Sequence, residues 1–347
     1  MKALMKVAPG EGNFEIRDIP VPEVKRDTDV LIKISAAGIC GTDIHILHDK
    51  FKSYPPVVIG HEFSGVVKEI GKAVKNVKPG DRVVGEPHTL ACGICEMCRS
   101  GLHQLCEAKR SPGWGIDGAY TEYMIFPEPG LLHHIPDNID DVTAVLAEPF
   151  AIVTHEVLER GVVEPQDFVV IVGAGPIGIL AAVAAKAAGA RKTAILGIDA
   201  DESLRFTAAR KVGVDFTINV MREDAVKFIA GHTHGRGADL VVEASGSEGG
   251  INSAIDVVRK CGRITVIGLP AKDKVLVKWT QMQNKRLNVY FNLSSSHTSW
   301  ERALSIMATT PFDLSQIISH RSSIHDWEKV YEDIQKGHAI KAVFIPD

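Results

Sequence analysis

Apolar residues in the first 150 positions fall in short runs cut by glycine and proline, at 29–34, 65–70, 81–84 and 120–126. Runs of this kind between turn formers predict β-strands, and helical periodicity is weak here. After Glu148 the pattern changes. A helix is predicted over 151–160 and a strand over 168–172, followed by a glycine turn and a long alanine-rich helix, which together open a βαβ unit. Strand and helix patterns keep alternating through 193–196, 204–212, 239–242, 250–258 and 263–267, as a doubly wound parallel sheet requires. A helix pattern at 300–307 and an apolar close at 341–345 are too little for a separate core and are expected to complete the first domain. The expected organisation is α/β: a mainly β domain over 1–150 completed by 291–347, and a parallel-sheet domain over 151–290.

Composition narrows the class. The 347 residues are 45% hydrophobic and 24% charged with 31 glycines, enough for two ordinary cores. A net charge of −4 leaves no basic surface to neutralise a phosphate backbone, which argues against nucleic acid as a partner. Residues 1–7 hold no long apolar segment, and the alanine-rich stretch 178–190 carries Lys186 and is too short to span a bilayer. A cytoplasmic protein without a membrane partner is expected. In that compartment six cysteines read as ligands or catalytic groups before disulfides.

Four of them, Cys92, Cys95, Cys98 and Cys106, form C-x2-C-x2-C-x7-C in a loop, a spacing that can wrap four thiolates around one zinc ion. With every position filled by protein, that zinc is expected to be structural. Cys261, before Gly262, has no ligand-type neighbour and reads as a small buried residue. Cys40 stands apart with other dispersed donors: His61 and Glu62 after Gly60, and Glu148 before Pro149. A lone Cys or His is more often a packed core residue. As a set, however, a thiolate, an imidazole and a carboxylate are what a zinc open at its fourth position needs. Thr42 follows Cys40 by two residues, and its hydroxyl could pass a substrate proton to His45 and so to solvent.

A second chemistry sits in Gly173-Ala174-Gly175-Pro176-Ile177-Gly178, between a predicted strand and a predicted helix. Here Gly173 permits the tight turn, Gly175 lets the backbone approach a pyrophosphate at the helix N-terminus, and Gly178 allows close packing. The ribose-binding acid is expected about 20 residues on. Asp199 meets that spacing, with Asp201 and Glu202 beside it, while Arg191, Lys192 and Arg205 could instead attract a 2′-phosphate. NAD is favoured over NADP. Ser245, Ile267, Gly268 and Leu269, at the ends of later strands, are expected to line the nicotinamide half of the cofactor site.

The segments 38–45, 60–65 and 77–83, the four-cysteine loop, Glu148-Pro149 and the glycine turn together resemble the zinc-containing medium-chain alcohol dehydrogenases, in the branch of sorbitol (polyol) and L-threonine dehydrogenases. The likeness covers essentially the whole chain. It implies a GroES-like catalytic domain joined to a Rossmann domain, two zinc ions per subunit, a small polar alcohol as substrate, and a homodimer or homotetramer. It also implies Cys40 and His61 as catalytic zinc ligands with a glutamate at one of two positions, of which Glu62 is favoured and Glu148 is expected to enter when the site rearranges, and it supports the Thr42–His45 relay. Relatives that prefer NAD usually carry Asp where this chain has Gly197. The expected reaction is oxidation of a secondary hydroxyl of a polyol or sugar-alcohol phosphate. L-threonine and a catalytically silent NAD-binding regulator remain alternatives. Lys50, Lys52, His88, Trp114 and His320 are the candidate substrate contacts.

Overall fold

The computed structural model describes residues 1–346 and divides them into two compact units. The first comprises Met1–Pro149, Ser296–Ala308 and the stretch from Ile318 onward. Its main sheet runs in the order Ile318–Ser322, Lys341–Phe344, Val30–Gly38, Glu62–Ile70, Arg82–Gly85, Leu132–His134, and Tyr123–Phe126 also pairs with Val30–Gly38. Val30–Gly38 is buried along most of its length, which is why its residues are predominantly apolar instead of alternating. One register decides the rest. Val30–Gly38 and Glu62–Ile70 pair antiparallel with Gly38 opposite Glu62, and on its other side Gly38 faces Val343. The end of one strand, the beginning of the next and the C-terminal strand therefore meet at Gly38.

The second unit comprises Phe150–Ser295 and Thr309–Ile317. Its six strands are all parallel, in the order Phe216–Asn219, Lys192–Gly197, Phe168–Val172, Ala238–Glu243, Val258–Val266, Asn288–Phe291. Phe168–Val172 is fully buried, as a central strand covered on both faces must be. The helix Pro176–Ala187 follows it, with Ala181, Ala182, Ala184 and Ala185 buried so that it can lie close to the sheet.

Three expectations need correction. Residues 291–295 and 309–317 were expected with the first domain but belong to the second unit. There Asn288–Phe291 extends the sheet by one strand, and Phe312 lies against Gly213 so closely that a Cβ on that glycine would sit 2.2 Å from its ring. The helix expected over 151–160 is an α-helix, Ala147–Thr154, continued by a π-helical turn, His155–Arg160. Cys261 is exposed, in a left-handed conformation at φ 52° where the strand Val258–Val266 shifts register against its neighbour, so it is a strand-irregularity residue and not a buried one. No helix among the described residues is long and apolar enough to cross a membrane.

Candidate metal centre and dinucleotide site

Cys40 lies two residues beyond Gly38, and His61 one residue before Glu62, so the strand register brings all three to one edge of the sheet. Their donor atoms fall within 4.8 Å of one another; Glu148 is not part of that set. Cys40 caps the helix Gly41–Leu47, and its N–H donates to Asp43 Oδ2 at 2.8 Å. That fixes Asp43 behind His61, with Asp43 Oδ1 3.5 Å from His61 Nδ1. Tyr120 Oη lies 2.7 Å from Asp43 Oδ2 and 2.9 Å from the Gly38 carbonyl, locking the carboxylate in place. Trp114 sets its ring edge to face against His61 at 5.0 Å.

The pocket holds polar atoms that the protein itself leaves unsatisfied. His61 Nδ1, Glu62 Oε1 and Glu148 Oε2 are buried without hydrogen-bond partners, a costly state for polar atoms unless a ligand satisfies them. Burial disfavours a charge on His61, yet Asp43 and Cys40 outweigh it and raise its pKa well above the ordinary value. Burial pushes the Glu148 carboxyl up to about 7, with His61 pulling the other way and Glu62 adding to the rise. A thiol, an imidazole and a carboxylate with orphaned atoms in an anionic pocket fit a zinc ion.

Lys341, which begins the C-terminal strand, is the residue that sequence reasoning missed. It is buried, ion-paired to Glu62 Oε2, and donates to the Ile39 carbonyl at 3.0 Å. Glycine at 38 is what allows this close meeting: a Cβ there would lie 2.1 Å from Glu62 Oε2 and 2.6 Å from Val145. A buried Lys far along the chain would have been the only signal, and it is one that the apolar run 341–345 masks.

The four-cysteine loop gathers its sulfurs within 4.8 Å, with Cys92 and Cys98 Sγ 3.9 Å apart. The edge of a tetrahedron with 2.3 Å zinc–sulfur bonds is about 3.8 Å. Backbone N–H groups of Cys92 and Cys98 point at Cys106 and Cys95 Sγ, each at 3.4 Å, as they do where thiolates are stabilised. The Cys92 N–H is the main reason that the Cys106 thiol is held down to about 6, whereas burial pushes Cys98 up to about 12.

In the second unit the cofactor candidates cluster at the carboxyl ends of the parallel strands, where doubly wound sheets bind ligands. Gly173 takes φ 111°, and a Cβ on it would sit 3.0 Å from the backbone of Ala244 and Ser245. Gly178 would collide with the Gly173 carbonyl at 2.0 Å, while the space in front of Gly175 is open. Pro176 opens the helix at a position where its missing N–H costs nothing. Buried Glu243 organises the neighbouring loop, accepting from the Ser245 N–H and hydroxyl and from the Gly246 N–H, while its carbonyl accepts from the N–H groups of Ile267 and Gly268. Leu269 is exposed beside it. Gly197 ends its strand against Asp201: a Cβ would lie 2.7 Å from Asp201 Oδ2 and from the Phe206 ring. Arg205 is paired to Asp201 at 2.8 Å, and Asp199 to Arg222 at 2.9 Å.

Comparison with known proteins joins the two units into one family signature. Residues 26–137 match the alcohol dehydrogenase GroES-like domain and residues 176–309 the zinc-binding dehydrogenase domain. The sorbitol dehydrogenase of Halalkalibacterium halodurans is 34% identical over 100% of this chain and 99% of its own. The chain belongs to the zinc-containing medium-chain alcohol dehydrogenases. Another relative in that family, the L-threonine 3-dehydrogenase of Escherichia coli, is 37% identical with 99% of each chain covered. A zinc-binding dehydrogenase from Sinorhizobium meliloti, solved with NADP, superposes with a TM-score of 0.90 at 31% identity over 99% of each chain. As a member of this family the protein is an NAD(P)-dependent alcohol dehydrogenase with a GroES-like and a Rossmann domain.

The remaining candidates scatter. Thr42 Oγ1 is 3.7 Å from Cys40 Sγ, and His45 is exposed in the last turn of the same helix. Trp114 sits at the metal pocket, with Phe51 against its other side at 5.4 Å. His88 is buried. Lys50 is exposed and Lys52 stacks over Tyr54 at 5.3 Å. His320 is held by Ser319 and faces Asp333, as a strand residue with local partners.

Proposed function

We propose that this dehydrogenase oxidises a secondary hydroxyl of a small polyol to the ketone, using NAD in preference to NADP. The observation that carries the reading is the convergence of Cys40, His61 and Glu62 with buried, unsatisfied donor atoms. These three would hold the catalytic zinc, Glu148 would enter when the site rearranges, and Cys92, Cys95, Cys98 and Cys106 would hold a second, structural zinc. When bound, the catalytic ion acts as a Lewis acid that lowers the pKa of an alcohol, and the nicotinamide accepts the hydride.

The chain's own residues supply the remainder. Asp43 orients His61, Lys341 offsets the charge on Glu62, and Trp114 and Phe51 form an apolar wall beside the imidazole. The Thr42 hydroxyl takes the alcohol proton and His45, exposed one helical turn on, releases it to water. For the cofactor, Asp199, Asp201 and Glu202 cluster where the ribose is expected, and their pairing with Arg205 and Arg222 leaves those arginines little capacity for a 2′-phosphate. Similarity to sorbitol dehydrogenase supports the polyol. The 37% identity to a threonine dehydrogenase supports L-threonine as the second reading.

A homodimer or homotetramer is supported by the edge strand Asn288–Phe291, whose Phe291 is 75% exposed with Leu293 following at 58%, and by Leu276 and Trp279 of the same unit, exposed at 78% and 70%. The free cysteines support a cytoplasmic setting. The test is NADH formation at defined zinc content with sorbitol, xylitol, arabitol, a sugar-alcohol phosphate and L-threonine, repeated with NADP. A polyol should give the highest kcat/KM with NAD at least tenfold above NADP. Preference for threonine would replace the substrate, and no alcohol-dependent reduction at all would mean a regulator that only binds NAD.

A further inference from the structure

A second cluster of metal-ligand type lies in the first unit and plays no part in the chemistry described so far. Glu86 follows the strand Arg82–Gly85, and His133 lies on its antiparallel neighbour Leu132–His134, where it pairs with Val84. Both side chains are buried, at 3% exposure. His297 opens the helix His297–Thr309, which returns to this unit after the dinucleotide-binding unit, and Glu301 lies one turn further along it. The helix delivers His297 Nδ1 to 2.8 Å from Glu86 Oε1, while His133 Nε2 is 2.9 Å from the same oxygen. On its far side His133 Nδ1 is 2.5 Å from Glu301 Oε1. Trp300, fully buried, stacks on the His133 ring at 5.4 Å and 6°, fixing its plane.

We infer that Glu86, His133 and His297 form a further binding site for a divalent transition-metal ion, zinc being the natural fit. Two imidazoles and one carboxylate are a zinc donor set, and their donor atoms already lie within 4.8 Å of one another. Bonds of 2.0–2.1 Å require donor separations of about 3.3 Å in a tetrahedron, so an ion needs the cluster to open by roughly half an ångström. His297, whose side chain is 61% exposed, can supply that movement and leaves the fourth position to water. Glu301 provides what metal-binding histidines ordinarily have behind them, a carboxylate that accepts the other ring N–H. With His133 Nδ1 against Glu301, its Nε2 faces the Glu86 carboxylate across 2.9 Å, a pairing whose bridging positive charge is either a proton on Nε2 or a metal ion. The ion supplies it and ties the returning helix to the sheet.

The test compares the zinc-replete enzyme with His297→Ala, a change at an exposed side chain that the fold tolerates, and with Glu86→Gln. Equilibrium dialysis at micromolar free zinc, followed by elemental analysis, should find one zinc fewer per chain in each variant than in the parent. The difference counts this site alone, whatever the two cysteine-containing sites hold. In the cobalt-loaded proteins, the parent-minus-variant spectrum should show d–d bands without the thiolate charge-transfer band that both cysteine sites must display. Equal metal content and identical cobalt spectra in parent and His297→Ala would overturn the assignment and leave His133 as a protonated hydrogen-bond bridge.

Discussion

Replacing Lys341 by Met tests the electrostatic account of the metal pocket directly. In the parent, Glu62 is 1% exposed, its Oε1 accepts no hydrogen bond, and its one countercharge from the protein in direct contact is Lys341. Methionine fills much of the same volume but leaves a buried, unpaired carboxylate. Breaking such a pair typically costs 3–5 kcal/mol. Loss of the bond to the Ile39 carbonyl adds about 1 kcal/mol. At roughly 2–4 °C per kcal/mol for a domain of this size, the metal-free variant should melt about 10 °C below the parent at pH 7.5. Zinc, by restoring a countercharge, should close more than half of the gap, and Glu62→Gln combined with Lys341→Met should recover most of it without metal. Calorimetry on chelated and zinc-loaded samples reads all of this. A metal-free Lys341→Met melting within 2 °C of the parent, or a gap that zinc does not narrow, would refute the reasoning.

Three further outcomes are expected. Cys40→Ser should lower kcat by at least a hundredfold and remove one zinc, while NAD affinity, measured by nucleotide fluorescence, stays within twofold. Cys98→Ser should cost one zinc per chain and open the loop 92–106 to proteolysis, because an S4 site contributes its binding energy to local folding; an unchanged digestion pattern would deny it a structural role. Glu156, buried in the π-helical turn, has its pKa pushed up by burial to about 8. A folded-state pKa above the unfolded one means stability present below about pH 4.5 and lost as pH rises through 8, so Glu156→Gln should remove about 2 kcal/mol of pH dependence between pH 6 and 8, seen as parallel melting curves.

Legibility in the sequence tracked locality. The four-cysteine loop and the glycine turn are contiguous, so residue type and spacing alone exposed their chemistry, and the family resemblance rests largely on them. The alternation after Glu148 revealed the parallel sheet, although the second unit also claimed 309–317, because Phe312 found its packing partner at Gly213. Cys40, His61 and Glu62 were visible as residue types, but spacing could not choose between Glu62 and Glu148. The pairing of Gly38 with Glu62 is what gathers Glu62 with Cys40 and His61. Lys341 and the cluster of Glu86, His133 and His297 left no local trace at all.

By itself the chain determined which ligands, turns and strands exist, since donor identity, backbone freedom at glycine and apolar periodicity are properties of a few neighbouring residues. Only the tertiary structure decided which donors share one site, where Glu62 finds its countercharge, and that two histidines from distant segments meet at one carboxylate oxygen. Those depend on strand register and on a helix returning from far along the chain, and no short stretch of sequence encodes either.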